Sequence, residues 1–183
     1  MSRSAIDLHA FRVLGALAAL VSISAAAEAE PTSPIRFFEG RTEMVSVVKV
    51  AMKRPYQSTA ISDGRILPDG SLVLVQSVHD ERRPAQKRYW KVKQVRSGLF
   101  TGTMSDAIGP IVAQEIDGNY RFRFKLKGDL AVEQWLRPLP GGRIAKSNTT
   151  VRKFGMTIAT SEGTIRRMSG RILVEAVQDK LSY

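Results

Sequence analysis

The sequence predicts an all-β domain: an antiparallel meander of about eight to ten strands forming an up-and-down barrel or a sandwich. Three observations predict it. Over residues 119–128, Tyr120, Phe122, Phe124 and Leu126 alternate with Arg121, Arg123, Lys125 and Lys127. Side chains of a strand point alternately to opposite faces, so one face here is apolar and the other a row of cations, as in a half-buried antiparallel strand. Turn signals recur roughly every ten residues from Pro68 onward. The P-loop signature, the GxGxxG fingerprint, helical heptads and long internal repeats are all missing.

Taken in order, residues 1–29 read as a secretory signal peptide. Arg3 and Arg12 form a basic start, Val13 to Ala27 is an apolar run of small residues, and Ala27-Glu28-Ala29 fits the A-x-A cleavage pattern. The run of about 15 residues falls short of the roughly 20 that span a bilayer. The expectation is a periplasmic protein with its signal peptide removed. That leaves 154 of the 183 residues, one domain with room for a core of its own. No other apolar run approaches membrane length, so the mature protein is expected to be soluble. There is no cysteine, which excludes disulfides, thiolate chemistry and bacterial lipidation at the signal site.

Residues 30–36 are expected to be a mobile leader to a single barrel domain over 37–183. Phe37-Phe38-Glu39-Gly40 is a compact aromatic element suited to plug one end of a barrel. Thr42–Met52, rich in valine, and Gln57–Ile66 are the first strands, separated by Lys53-Arg54-Pro55. Pro68-Asp69-Gly70 turns into Ser71–Val78, apolar on both faces. Asp80–Lys87, containing Pro84, reads as a charged loop before the strand Arg88–Val95. Ser97-Gly98 turns into Leu99–Ser105, and Gly109-Pro110 into Ile111–Ile116. Asp117-Gly118-Asn119 is a hairpin turn into the aromatic–cationic strand. Gly128-Asp129 leads into Leu130–Leu136, and Pro138 to Gly142 is a loop. Ile144–Ala159 holds one long strand or two, and Gly163–Met168 another. The tail from Ile172 to Leu181 fits a short terminal helix or a strand.

The net charge is +11, and signal removal leaves it unchanged, with 26 basic and 15 acidic residues remaining. Such a surface attracts polyanions, which after export means anionic lipid rather than nucleic acid; a merely solvated basic surface accounts for the same charge. The processed chain keeps one histidine, His79, beside Asp80 and Glu81. It lacks a nucleophile and an orienting third group, so the chain reads as a non-enzyme without a cofactor. One histidine and no cysteine cannot supply a His/Cys metal site.

Binding residues are therefore sought on the barrel faces. Trp90, Tyr120, Phe122, Phe124 and Trp135 are candidates to line a ligand cavity, with core packing the alternative. Lys153, if inward, would hold a carboxylate or phosphate. Phe154 and Met156 make the better inward pair, which puts Lys153 on the surface. Arg121, Arg123, Lys125 and Lys127 span about 20 Å of one face, either an anionic-surface docking ladder or a solvated wall.

From Arg88 onward the chain resembles a bacterial envelope family, the domain of unknown function 3833. The resemblance rests on Arg88-Tyr89-Trp90, on Gly98-Leu99-Phe100-Thr101-Gly102-Thr103 with Asp106 and Gly109, on Gly118-Asn119, on Trp135 and on Lys153-Phe154-Gly155. Phe37-Phe38-Glu39-Gly40 resembles an F-x-G near the family's start. The chain departs from it in lacking the lipoprotein cysteine, in carrying Glu133-Gln134 where the family has an acidic pair, and in the offset of Asn148. The resemblance implies a lipocalin-like, calycin-type barrel linked to lipid. The expected function is that of an exported protein binding a lipid, fatty acid or other apolar ligand in the bacterial envelope. The alternative is a non-enzymatic envelope-interaction protein that docks anionic lipid or a partner through its basic outer face.

Overall fold

The computed structural model describes residues 33–81 and 83–168. The signal-peptide reading and the terminal element at Ile172–Leu181 lie outside the described residues. A four-residue helix, α1 (Pro34–Phe37), precedes ten strands. These are β1 (Gly40–Val50), β2 (Tyr56–Ile66), β3 (Leu72–Asp80), β4 (Arg83–Arg96) and β5 (Leu99–Met104), followed by β6 (Ala107–Ile116), β7 (Asn119–Leu126), β8 (Leu130–Pro138), β9 (Ile144–Lys153) and β10 (Met156–Arg167). Each strand runs antiparallel to the next. The ring closes through β1, where Val45 stands opposite Thr59 of β2 and Thr164 of β10. Closure leaves no free strand edge. In such a meander the hairpins alternate between the two ends. One end carries α1, and the other carries the β1–β2, β3–β4, β5–β6, β7–β8 and β9–β10 turns.

Alternation sorts the side chains. Thr42, Met44 and Ser46 of β1, Ala60 and Ser62 of β2, and Leu72 and Leu74 of β3 face inward. The core continues through Val92, Phe100, Met104, Ile111, Tyr120 and Phe122. Phe100 and Ile111 keep only 1% of their surface, so they anchor the packing.

Several boundaries differ from the sequence expectation. Pro34 to Arg36 belong to α1 and are not a mobile leader, because Pro34, Ile35 and Phe37 are buried in the barrel mouth. The charged stretch before Arg88 is strand from Arg83, since Asp80 pairs with Arg83 across a tight turn. Pro84 falls in the irregular register there, a position that tolerates a residue without an N–H. Gly109-Pro110 is a bulge inside β6, and the actual turn is Ser105-Asp106. Ile144–Ala159 is two strands, broken at Phe154-Gly155 with φ of 50° and 80°. These two residues form a primed hairpin turn.

Candidate functional site: an inner cavity beneath the helical plug

α1 starts where the sequence supplies a cap. Ser33 accepts a bond from the Arg36 N–H at 3.3 Å, and Pro34 fits the first turn, whose N–H is free anyway. Ile35 and Phe37 turn into the barrel, and Phe37 meets Phe38 edge-on at 5.2 Å. Arg167 ties the element down, donating from Nη2 to the Glu39 carbonyl at 2.9 Å. Gly64 of β2 makes the close approach possible. A Cβ at this position would lie 2.0 Å from the Phe38 carbonyl oxygen.

Beneath this plug lies a part-open cavity of about 60 Å³. Ile35 and Phe38 roof it, and Met44, Leu74, Val92 and Leu136 form apolar walls. Thr42, Ser62, Gln76 and Gln134 bring polar atoms into the lining. Gln76 donates to Ser62 at 3.3 Å, and Gln134 to Ser147 at 2.9 Å. Pockets that take drug-sized ligands measure roughly 300–1,000 Å³. With α1 seated, the cavity is far smaller than that.

Trp90 lines the cavity, and its Nε1 is buried without a hydrogen-bond partner. A buried N–H left unmade costs about 1–3 kcal/mol. Its ring packs edge-on against Phe124 at 5.9 Å, which holds the indole in place. An apolar chamber with a few convergent polar groups is the usual form of a small-molecule site.

The expected residues divide. Trp90 and Phe122 line the cavity. Phe124 backs Trp90, while Tyr120 lies deeper in the core, edge-on to Phe100 at 6.2 Å. Burial, and then the Glu115 charge, push the Tyr120 phenol up to about 12.

Trp135 does not join them. It pairs in register with Arg121 on the outer face, where the guanidinium stacks 5.6 Å from its ring centre and Glu133 accepts from its Nε1 at 3.4 Å. Lys153 is exposed beside the hairpin tip, its Nζ 5.5 Å from the Phe154 ring. The reason given for a surface Lys153 does not hold. Phe154 and Met156 are 75% and 66% exposed, because the two-residue turn carries them out of the core. Arg121 and Arg123 both donate to Gln114 Oε1, at 2.8 and 3.2 Å, while Lys125 and Lys127 continue into solvent at the end of β7. His79 is exposed on β3. Of the resembling motifs, Arg88 and Asp106 are joined by an ion pair at 2.9 Å.

Sequence reasoning missed Gln76, Gln134, Thr42 and Ser62. Their signal was small or polar residues at every second position, as in Ala60-Ser62-Gly64.

No family model matches the chain, and no curated protein matches it in sequence. Solved structures do match in fold. The S-type phycobiliprotein lyase CPES from Guillardia theta superposes with a TM-score of 0.61 at 8% identity, covering 75% of this chain and 92% of that one. Rv2717c from M. tuberculosis gives 0.57 at 12% identity, over 77% and 99%. A protein of unknown function of the DUF3598 family from Nostoc punctiforme gives 0.54 at 13% identity, covering 76% of this chain and 51% of that one. The chain thus has the fold of a lipocalin-like antiparallel meander barrel, which these structures share. At these identities the likeness is one of fold, and function has to be argued from the site.

Proposed function

We propose that the protein is an exported, non-enzymatic binding barrel of the bacterial envelope, related to the domain of unknown function 3833 family. It takes an apolar molecule with an oxygen-bearing head, of the fatty-acid or lipid class, into its interior. The observation that carries this reading is the unpartnered Trp90 Nε1 at a mainly apolar chamber with a few polar side chains in its lining. A ligand oxygen supplies the missing acceptor, and Gln76 and Gln134 provide further polar contacts. Displacement of α1 admits the chain, since Ile35 and Phe38 roof the cavity and the seated volume is too small. Electrostatic docking through the whole outer ladder is less well supported, because Gln114 and Trp135 already engage Arg121 and Arg123, the half nearer α1.

Titration with cis-parinaric acid, read by its fluorescence, tests the proposal. Saturable binding should weaken about tenfold in Trp90→Phe, the worth of one well-made bond to a charged head. Equal affinity in that variant would remove Trp90 from the site, and an absence of saturable binding would refute the interior reading.

A further inference from the structure

The three most exposed large apolar side chains among the described residues are Met52 at 99%, Phe154 at 75% and Met156 at 66%. All three stand at the barrel end opposite α1, on two hairpins that lie side by side. Val50 pairs with Ala159, and the Ala51 N–H donates to the Ile158 carbonyl at 2.9 Å.

Phe154 is costly where it stands. Its φ of 50° is left-handed, a conformation that asparagine, aspartate or glycine adopts more readily than a bulky side chain. The comparable turn between β6 and β7 uses Asp117-Gly118. At the β9–β10 tip the chain instead holds an aromatic ring in a disfavoured conformation and in contact with water. Neither cost is returned by packing within the barrel. Met52 repeats the pattern at φ 60°.

The charges around these tips are one-sided. The three consecutive hairpins β1–β2, β9–β10 and β7–β8 carry Lys53, Arg54, Lys125, Lys127, Arg152 and Lys153 against the single acid Asp129. Among the described residues, none of the six cations has an ion-pair partner. The acids of this end, Asp80, Glu81 and Asp106, sit on the other two hairpins, and Asp106 is held by Arg88. Below the β7–β8 tip the outer wall is dished into an open basin of about 540 Å³, lined by Arg123, Lys125 and Arg152 with the single acid Glu133, and by the apolar Ile108, Pro110 and Val112. Apolar tips ringed by unpaired cations match an anionic bilayer. The tips enter the acyl boundary while the cations meet headgroup phosphates.

We propose that this end of the barrel docks on an anionic phospholipid membrane, with Phe154, Met156 and Met52 inserting and Lys53, Arg54, Arg152 and Lys153 at headgroup level. The docking stands independently of any ligand inside the barrel.

Co-sedimentation of the purified protein with phosphatidylcholine vesicles, with and without phosphatidylglycerol, tests it. Phe154→Asn suits the turn and removes only the ring, and Lys153→Glu reverses one rim charge. Arg137→Glu makes the same charge change at the opposite end, on an exposed position of β8. Unchanged thermal unfolding of each variant confirms that the fold is kept. The expected result is binding only to phosphatidylglycerol vesicles, reduced about fivefold or more by Lys153→Glu and by Phe154→Asn but within about twofold in Arg137→Glu. Three results would each overturn the proposal: no binding at low salt, equal loss in Arg137→Glu, or a dimer in sedimentation velocity that Phe154→Asn dissociates. The last would make the tips a contact between two copies.

Discussion

Replacing Gly64 by alanine tests how the plug is held. Gly64 has no left-handed φ, so alanine suits its backbone and would by itself be neutral or slightly stabilising. The obstacle is spatial. The new Cβ lies 2.0 Å from the Phe38 carbonyl oxygen and 3.1 Å from its carbonyl carbon, where ordinary contact begins at 3.4 Å. Those atoms are backbone, so no rotamer change relieves the overlap, and the end of α1 has to lift. Lifting α1 exposes Ile35 and Phe37, now 7% and 2% accessible. Each such side chain is worth about 1.5–3 kcal/mol when fully buried. A complete release therefore costs roughly 3–6 kcal/mol, and partial reseating brings the expected loss to about 2–4 kcal/mol. Urea unfolding followed by tryptophan fluorescence measures it, and cis-parinaric acid uptake should rise as the roof opens. Phe37→Ala in the same chain should absorb much of the effect, since the overlap matters only while the plug is docked. A Gly64→Ala protein with unchanged urea midpoint and unchanged uptake would refute the reasoning.

Two further outcomes follow from the same geometry. Tyr120 favours its neutral form in the fold, with a pKa of about 12 against 10.0 in the open chain. Its contribution is complete below about pH 10 and is lost as pH rises toward 12. Urea midpoints should fall over that range, and by less in Tyr120→Phe; equal slopes would contradict the assignment. The Arg88–Asp106 pair is about one-third exposed, so Asp106→Asn should cost at most about 1 kcal/mol, and less in high salt, read by thermal unfolding.

The strands were legible because a sheet wall writes its two faces into the chain at period two, as in Tyr120, Phe122 and Phe124 against Arg121 and Arg123. What failed were points where the ladder overrides local signals. Gly109-Pro110 has turn composition but lies within β6, since a bulge also tolerates a missing donor and a positive φ. Asp80–Lys87 looks like a solvated loop because its strand portion is largely exposed and carries no apolar alternation. Trp135 reads as a lining residue until register is known, because only its pairing with Arg121 fixes it to the cationic face. The parity of Phe154 and Met156 was lost for a related reason, since a two-residue turn interrupts the alternation. The cavity was half legible. Trp90 and Phe122 stand out by size, whereas Gln76, Gln134 and Ser62 become visible only when seven strands are wrapped around one space.

The central claim is that the barrel interior is a ligand site closed by α1. Native mass spectrometry of the protein, purified gently from its native host, tests it most directly. The account predicts an additional mass that denaturation releases as an apolar molecule with an oxygen-bearing head, carried at lower occupancy by Trp90→Phe. A bare protein mass, persisting after Gly64→Ala protein is incubated with envelope lipids, would contradict it.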